Sequence, residues 1–341
     1  MRGWLCGLAA AITFGVSAPL AARLIGHADA QALAGLLYAG AAAGLLPALL
    51  ANRGAERGLS LPRAQLPRLG LVALAGGIIA PLLLLLGLRR VGGLTGSLLL
   101  NLEAVLTIAL AVVAFGDRLT RRVTVAGTLA IGGAVVLATT GPGGGHSSST
   151  GVLLVAAACA CWALDNNLSA ALAAWNPVQL VFVKATTAAA VNCGIALLRG
   201  AHFPQASFVV AALALGALSY GASVLLDALA LRDLGAAREA TIFATAPFAG
   251  ALLAPFVTTA HVGPATVFAG LLMLAAVAAL AIPEPVREHA HASVEHSHPH
   301  EHDEHHRHEH GPDDPPGHRH AHTHRHEALA HAHAHRTDGH H

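Results

Sequence analysis

Charge is scarce in this chain. Charged residues fill 11% of its 341 positions, less than half the roughly 25% of an ordinary soluble domain. That scarcity excludes a water-soluble globule of this length. Lysine occurs once, at Lys184, and tyrosine and methionine twice each. The four cysteines (Cys6, Cys159, Cys161 and Cys193) all lie within apolar runs, which excludes a scaffold of paired loop cysteines. There is no HExxH, nucleophile elbow or phosphate loop, so the common catalytic signatures are missing and an enzyme is not expected. Abundance lies elsewhere. Hydrophobic residues reach 54%, glycine numbers 36, and mean hydropathy is +0.57.

The few charges are segregated. Residues 1–283 hold 15 of the 20 basic side chains and 8 of the 19 acids, a net charge of +7. The last 58 residues hold the other 11 acids, 5 arginines and 20 of the 24 histidines. Two kinds of polymer therefore join near Ile282-Pro283, and the near-neutral total conceals them.

A membrane span needs about 20 apolar residues. Ten windows fit, near 4–24, 31–51, 68–88, 94–115, 123–140, 151–172, 177–198, 207–231, 236–257 and 262–282. Arg2, an apolar run and Val16-Ser17-Ala18 imitate a secretory signal. Pro19 would follow the cleavage point and further spans come after it, so an uncleaved first span is expected. With the N-terminus inside, the internal connections carry Arg53, Arg57, Arg63, Arg68, Arg118, Arg121, Arg122, Arg232 and Arg238. The external ones carry Arg23, Arg89, Arg90 and Arg199. The positive-inside bias then predicts both termini in the cytoplasm, in a multi-pass protein of the cell (inner) membrane.

One helical pattern recurs. Gly3–Ile25 aligns without gaps on Gly151–Ala173, shifted by 148, and Leu86–Gly92 (LGLRRVG) on Leu229–Gly235 (LALRDLG), shifted by 143. Five spans per copy put the second copy into the membrane from the opposite side, an inverted repeat of the kind many secondary transporters use. The expected fold is all-α and integral to the membrane, ten helices as two inverted five-helix repeats (1–140 and 151–283). A Gly/Ser linker at 141–150 joins them, and a disordered His-rich tail follows at 284–341.

The small-residue fourth span with Glu103-Ala104 and Phe115-Gly116-Asp117-Arg118-Leu119, the Trp162-Ala163-Leu164 opening of the second half, and Ala246-Pro247-Phe248 resemble the EamA family of the drug/metabolite transporter superfamily. The resemblance covers residues 1–283. It implies a ten-helix transporter or exporter with a central cavity, typically driven by an ion gradient, and no particular substrate. This chain departs from the pattern in carrying Ala104 where the family often has proline, and in an unusually polar sixth helix.

Ionisable groups inside spans are costly and usually face a cavity or a partner. Glu103, with Asn101 two residues before it, sits about 13 Å into the fourth span at about 1.5 Å per residue. It reads as a protonatable coupling carboxylate or as a packing residue hydrogen-bonded to a neighbouring helix end. Asp165, Asn166 and Asn167 cover about 200° of helix, so all three cannot face lipid. Asp165 and Lys184 lie at similar depth on consecutive antiparallel helices, which predicts a buried ion pair with either a structural or a transport role. Asp227, Arg238 and Glu239 are gate candidates, though charges near helix ends also form interfacial salt bridges cheaply. Cys161 and Asp165 share a helix face, yet a small buried cysteine is commoner than a thiolate metal ligand.

The tail alternates His with Glu and Asp. His296, His298, His300, His302, His305, His306, His308, His310, His318, His320, His322 and His324 offer imidazoles for a divalent transition metal, in many exchangeable sites. No other cofactor is expected. The implied partners are the lipid bilayer, a small-molecule substrate and a coupling proton or ion, and no nucleic acid. Three readings follow. The first is an ion-coupled exporter of a small polar metabolite with a metal-binding tail. The second is a transition-metal (Ni/Co/Zn) exporter fed by the tail. The third is a metal-responsive membrane sensor or scaffold. The four histidines of the body (His27, His146, His202, His261) fall at span ends or loops, leaving the second reading a pore poor in the commonest metal ligand.

Overall fold

A computed structural model describes residues 2–51, 63–115, 120–140, 148–170, 172, 176–234, 236–281, 287–291, 294–300, 320–326 and 329–333. Up to Ala281 every element is helical. These are α1 (Arg2–Gly15), α2 (Ser17–Leu24), α3 (Ala30–Ala51), α4 (Leu66–Val72), α5 (Ala80–Leu99), α6 (Leu102–Phe115) and α7 (Arg121–Thr139). There follow α8 (Ser149–Ala170), α9 (Pro177–Leu198), α10 (Ala206–Gly216), α11 (Ser223–Leu234), α12 (Ala236–Phe243), α13 (Ala246–Val257) and α14 (Pro264–Ala281). Nine helical runs among the described residues are long and apolar enough to cross a membrane, and α6 is a shorter apolar helix. Local chemistry sets several starts. Asn176 Oδ1 accepts from the amides of Val178 (2.8 Å) and Gln179 (3.4 Å) ahead of α9, whose first residue is Pro177. Asp29 Oδ1 does the same for Gln31 at α3. Both are N-caps.

The polarity of these helices is inverted relative to a soluble protein. Buried positions include Ser17, Gln31, Ser97, Asn101, Asp165 and Asn192, while Trp4, Leu8, Val113, Leu153, Leu252 and Phe256 are exposed. Small residues take the contacts between helices. A Cβ added at Gly15 would overlap the Ala246 carbonyl, and one at Gly250 the Gly15 carbonyl. The first span thus crosses α13 backbone against backbone, as small residues allow in lipid.

Several spans are interrupted. The run from Arg63 to Leu99 is helical almost throughout, but Gly92 has φ 75° and ψ 173°, a conformation glycine adopts without steric cost. The chain reverses there, because Gly96 packs against Leu88, eight residues back, where a continuous helix would hold them about 12 Å apart. The turn separates the expected 68–88 and 94–115 spans. The latter is broken again at Leu100-Asn101, the first span at Val16, and the expected 236–257 span at Ala244-Thr245. Pro19 accounts for the break at Val16, since it supplies no amide to the carbonyl of Gly15. Two segments widen to π-helix, Ala73–Ile79 in α4–α5 and Ala217–Ala222 in α10–α11. The π segments recur at a spacing of 143 to 144 residues, and the breaks at Leu100-Asn101 and Ala244-Thr245 recur at 144.

The tail forms a separate unit, residues 282–341. Its described residues are in extended segments. Arg287–His291 pairs antiparallel with Leu329–His333, and Val294–His300 with His320–His326. Alternation of His with Ala, Ser or Thr has the two-residue period of a strand.

Candidate functional site

The interior polar groups gather around the first π segment. Lys184 Nζ on α9 lies 2.7 Å from Asp165 Oδ2 on α8, and Asp165 Oδ1 accepts from the Ser169 hydroxyl at 3.0 Å. Asp165 is buried, its side chain 3% exposed, and that of Lys184 is 17% exposed. The pair fits because position 76 is glycine: a Cβ there would collide with the Asp165 carboxylate. Widening of the helix also frees the Gly76 carbonyl, which accepts from Tyr38 Oη (2.8 Å) and Trp162 Nε1 (3.1 Å). The Gly77 carbonyl accepts from Asn192 Nδ2 at 3.4 Å, and Asn192 Oδ1 accepts from Gln31 Nε2 at 2.6 Å. Carbonyls released from the helical ladder are thereby satisfied by side chains from three other spans, as a low-dielectric interior requires.

Glu103 begins α6 just after the break. Its Oε1 accepts from Asn166 Nδ2 on α8 at 3.0 Å, and Asn166 also reaches Thr107 Oγ1 at 3.4 Å. Asn167 Nδ2 donates to the carbonyls of Thr107 (3.0 Å) and Ala163 (2.8 Å). Asn101, in the break itself, donates through Nδ2 to the Leu98 carbonyl at 2.9 Å. Its Oδ1 is buried without a partner among the described residues. Glu103, Asp165, Asn166, Asn167 and Lys184 are thus held by α6, α8 and α9, and Asn101 by the break between α5 and α6. Asp165 turns toward Lys184, while its two neighbours turn toward α6.

An aromatic group continues this layer. Tyr38 stacks on Tyr220 with centroids 5.8 Å apart at 15°, Phe14 meets Tyr220 edge-on at 5.9 Å, and Phe14 lies 5.2 Å from Phe243. Both tyrosines of the chain are therefore in one cluster. Sequence reasoning missed Tyr38, Tyr220, Gly76, Gln31 and Asn192. The available signals were two amides within otherwise apolar runs and the Gly76-Gly77 pair.

The gate candidates sit differently. Asp227 on α11 has its Oδ1 buried without a partner among the described residues, and Glu239 stands in the first turn of α12. The Arg238 side chain lies outside the described residues, as do His302, His305, His306, His308, His310 and His318 of the tail, residues 141–147 of the linker and the Gly116–Leu119 part of the family motif. His296, His298, His300, His320, His322 and His324 lie on paired strands. Cys161 is half-buried and Asp165 is committed to Lys184 and Ser169. Among the described residues no three His, Cys, Asp or Glu converge as a metal-ligand set.

The model of the EamA-like transporter family matches twice, over residues 1–139 and again over 149–282. The chain belongs to the EamA family. It is 30% identical over 210 residues to an uncharacterized transporter of Methanothermobacter thermautotrophicus (strain Delta H), a match covering 60% of this chain and 61% of that protein. A solved crystal structure shares the fold, with a TM-score of 0.60 at 22% identity, over 82% of this chain and 97% of the other. The chain spans about three fifths of the length of its Methanothermobacter relative, and family membership with nine apolar helical runs among the described residues makes it a multi-pass membrane protein.

Proposed function

We propose that this EamA protein is a secondary active, ion-coupled exporter of a small polar metabolite, built as two inverted five-span repeats. The recurrence of π segments and helix breaks about 143 residues apart supports the repeat, as does the double family match. Counting the turn at Gly92 as a connection gives ten membrane-crossing segments. An odd number per repeat inverts the second copy, the arrangement used for alternating access around a midplane site.

The observation that carries the reading is the polar layer where α6, α8 and α9 meet. A Lys184–Asp165 pair and a Glu103–Asn166 hydrogen bond sit inside apolar spans beside a broken helix. Membrane interiors hold such groups where substrate or coupling ions pass. Lys184 and Asp165 are matched to a zwitterionic or polar solute, Asn101 Oδ1 offers an acceptor, and Glu103 is the group we assign to proton coupling. Asp227 and Glu239 form the cytoplasmic gate, with both termini in the cytoplasm of an inner-membrane protein. The tail histidines hold a divalent transition metal as an accessory feature. The metabolite reading is preferred to the metal exporter because the layer is built of amides, one lysine and carboxylates rather than imidazoles or thiolates.

The test is efflux from proteoliposomes under an imposed pH gradient, screening amino acids, other polar metabolites and Ni, Co and Zn salts. Gradient-dependent movement of an organic solute that Glu103→Gln uncouples supports the proposal. Movement of a metal salt alone overturns it.

A further inference from the structure

We infer that the mouth of the protein around the Arg89–Gly92 turn is an anion-binding vestibule, a second site that takes a phosphate or carboxylate group. A cavity of about 790 Å³ opens there, within the size range of small-molecule sites. Its polar lining includes Arg89, Arg90, Thr95, Thr258, Thr259 and His261. No aspartate or glutamate is among the described residues that line it, and none of the Glu103–Lys184 layer lines it either. The inference therefore stands whether or not that layer transports a metabolite.

Among the described residues, both arginines are held by carbonyls and by no carboxylate. Arg89 Nη2 donates to the carbonyls of Ile25 (3.2 Å) and Ala28 (3.3 Å), and Arg90 Nη1 to that of Leu86 (2.8 Å). A guanidinium has five N–H donors, so these contacts fix each side chain and leave donors facing the cavity. Carbonyl partners also leave the positive charge uncompensated, which a carboxylate partner would not. Gly92 adds open backbone, since a Cβ there would meet nothing within 4 Å. The hydroxyls of Thr95 and Thr259 complete the kind of donor set that recognises oxyanions, that of Thr258 being donated to the Ala254 carbonyl at 2.7 Å.

The repeat sharpens the argument. Arg89-Arg90 corresponds to Arg232-Asp233 in the second copy, so at the opposite mouth the same turn carries one charge of each sign. In the orientation proposed above, two adjacent arginines also face outward, against the bias that places Arg and Lys in the cytoplasm. A pair of cations kept where topology disfavours it has a use that topology does not supply.

Two sources present this chemistry, a soluble oxyanion and the headgroup of an acidic lipid. The experiment uses the full chain in nanodiscs of neutral phosphatidylcholine, titrated with inorganic phosphate and with citrate by calorimetry. A parallel set contains phosphatidylglycerol, and retained lipid is counted by native mass spectrometry. Saturable binding of either probe in neutral discs, weakened about tenfold by Arg90→Gln and less than about threefold by Arg90→Lys, supports a soluble anion, tenfold being one charge-assisted contact. Retained phosphatidylglycerol that Arg90→Gln releases and Arg90→Lys keeps supports the lipid. His261→Gln reads the same site without disturbing the helix that carries the arginines. The inference is overturned if no probe binds and no lipid is retained, or if binding is the same in Arg90→Gln, Arg90→Lys and His261→Gln.

Discussion

Lys184 and Asp165 meet at 2.7 Å across α8 and α9, with the backbone of Gly76 closing one side of the carboxylate. Removing one partner strands a charge in a poorly solvated place, which costs about 3–5 kcal/mol. Lys184→Met is therefore expected to lower the thermal midpoint of the purified protein sharply. The double change Asp165→Asn/Lys184→Gln removes both charges and is expected to regain most of that loss. Transport separates the roles: with a functional pair, the stable double variant no longer moves substrate in proteoliposomes.

Glu103→Gln keeps the oxygen that accepts from Asn166 and removes the proton-binding group. Stability is expected to change by less than about 1 kcal/mol, in line with a neutral hydrogen bond replacing a charged one. Substrate exchange at equal pH should persist while accumulation driven by a pH gradient disappears. Flux assays with and without the gradient distinguish the two.

Gly76→Ala places a methyl group where the Asp165 carboxylate lies. Overpacking of this kind costs about 1–3 kcal/mol, and here it also displaces the ion pair. We expect a loss of stability at the upper end of that range, read by thermal melting in detergent. Ala→Gly changes elsewhere in the same π segment should be far milder.

Residues 1–281 form a compact unit separate from the tail. Truncation at Pro283 is expected to leave the melting midpoint within about 2 °C and organic-solute efflux intact, because the body has its own contact unit and core. Binding of Ni or Zn, followed by equilibrium dialysis, should fall to near zero. Loss of efflux on truncation would make the tail part of the transport path.

The spans were legible because about twenty apolar residues have few alternatives to a helix in lipid. Asp165 and Lys184 were legible as a pair because consecutive antiparallel helices put equal depths side by side. The side-chain partners of Asn166 and Asn167 were not, since helix periodicity shows only that some face must turn inward and not which neighbour it meets. Glu103 joining α6 to α8 depends on a contact 63 residues apart in sequence. Breaks at Val16 and at Leu100-Asn101 escaped hydropathy altogether, because an interrupted helix has the composition of a continuous one.

A π turn accommodates one residue more than the α turn it replaces. In Ala73–Ile79 and in Ala217–Ala222 that surplus residue is slack stored in the backbone. Passing it one peptide along a helix turns the length on one side against the other by about 100°, without parting the chain or melting the span. The third and eighth spans carry this surplus at matching places, and in the third the carbonyls of Gly76 and Gly77 are tied to Tyr38, Trp162 and Asn192 on three neighbouring spans.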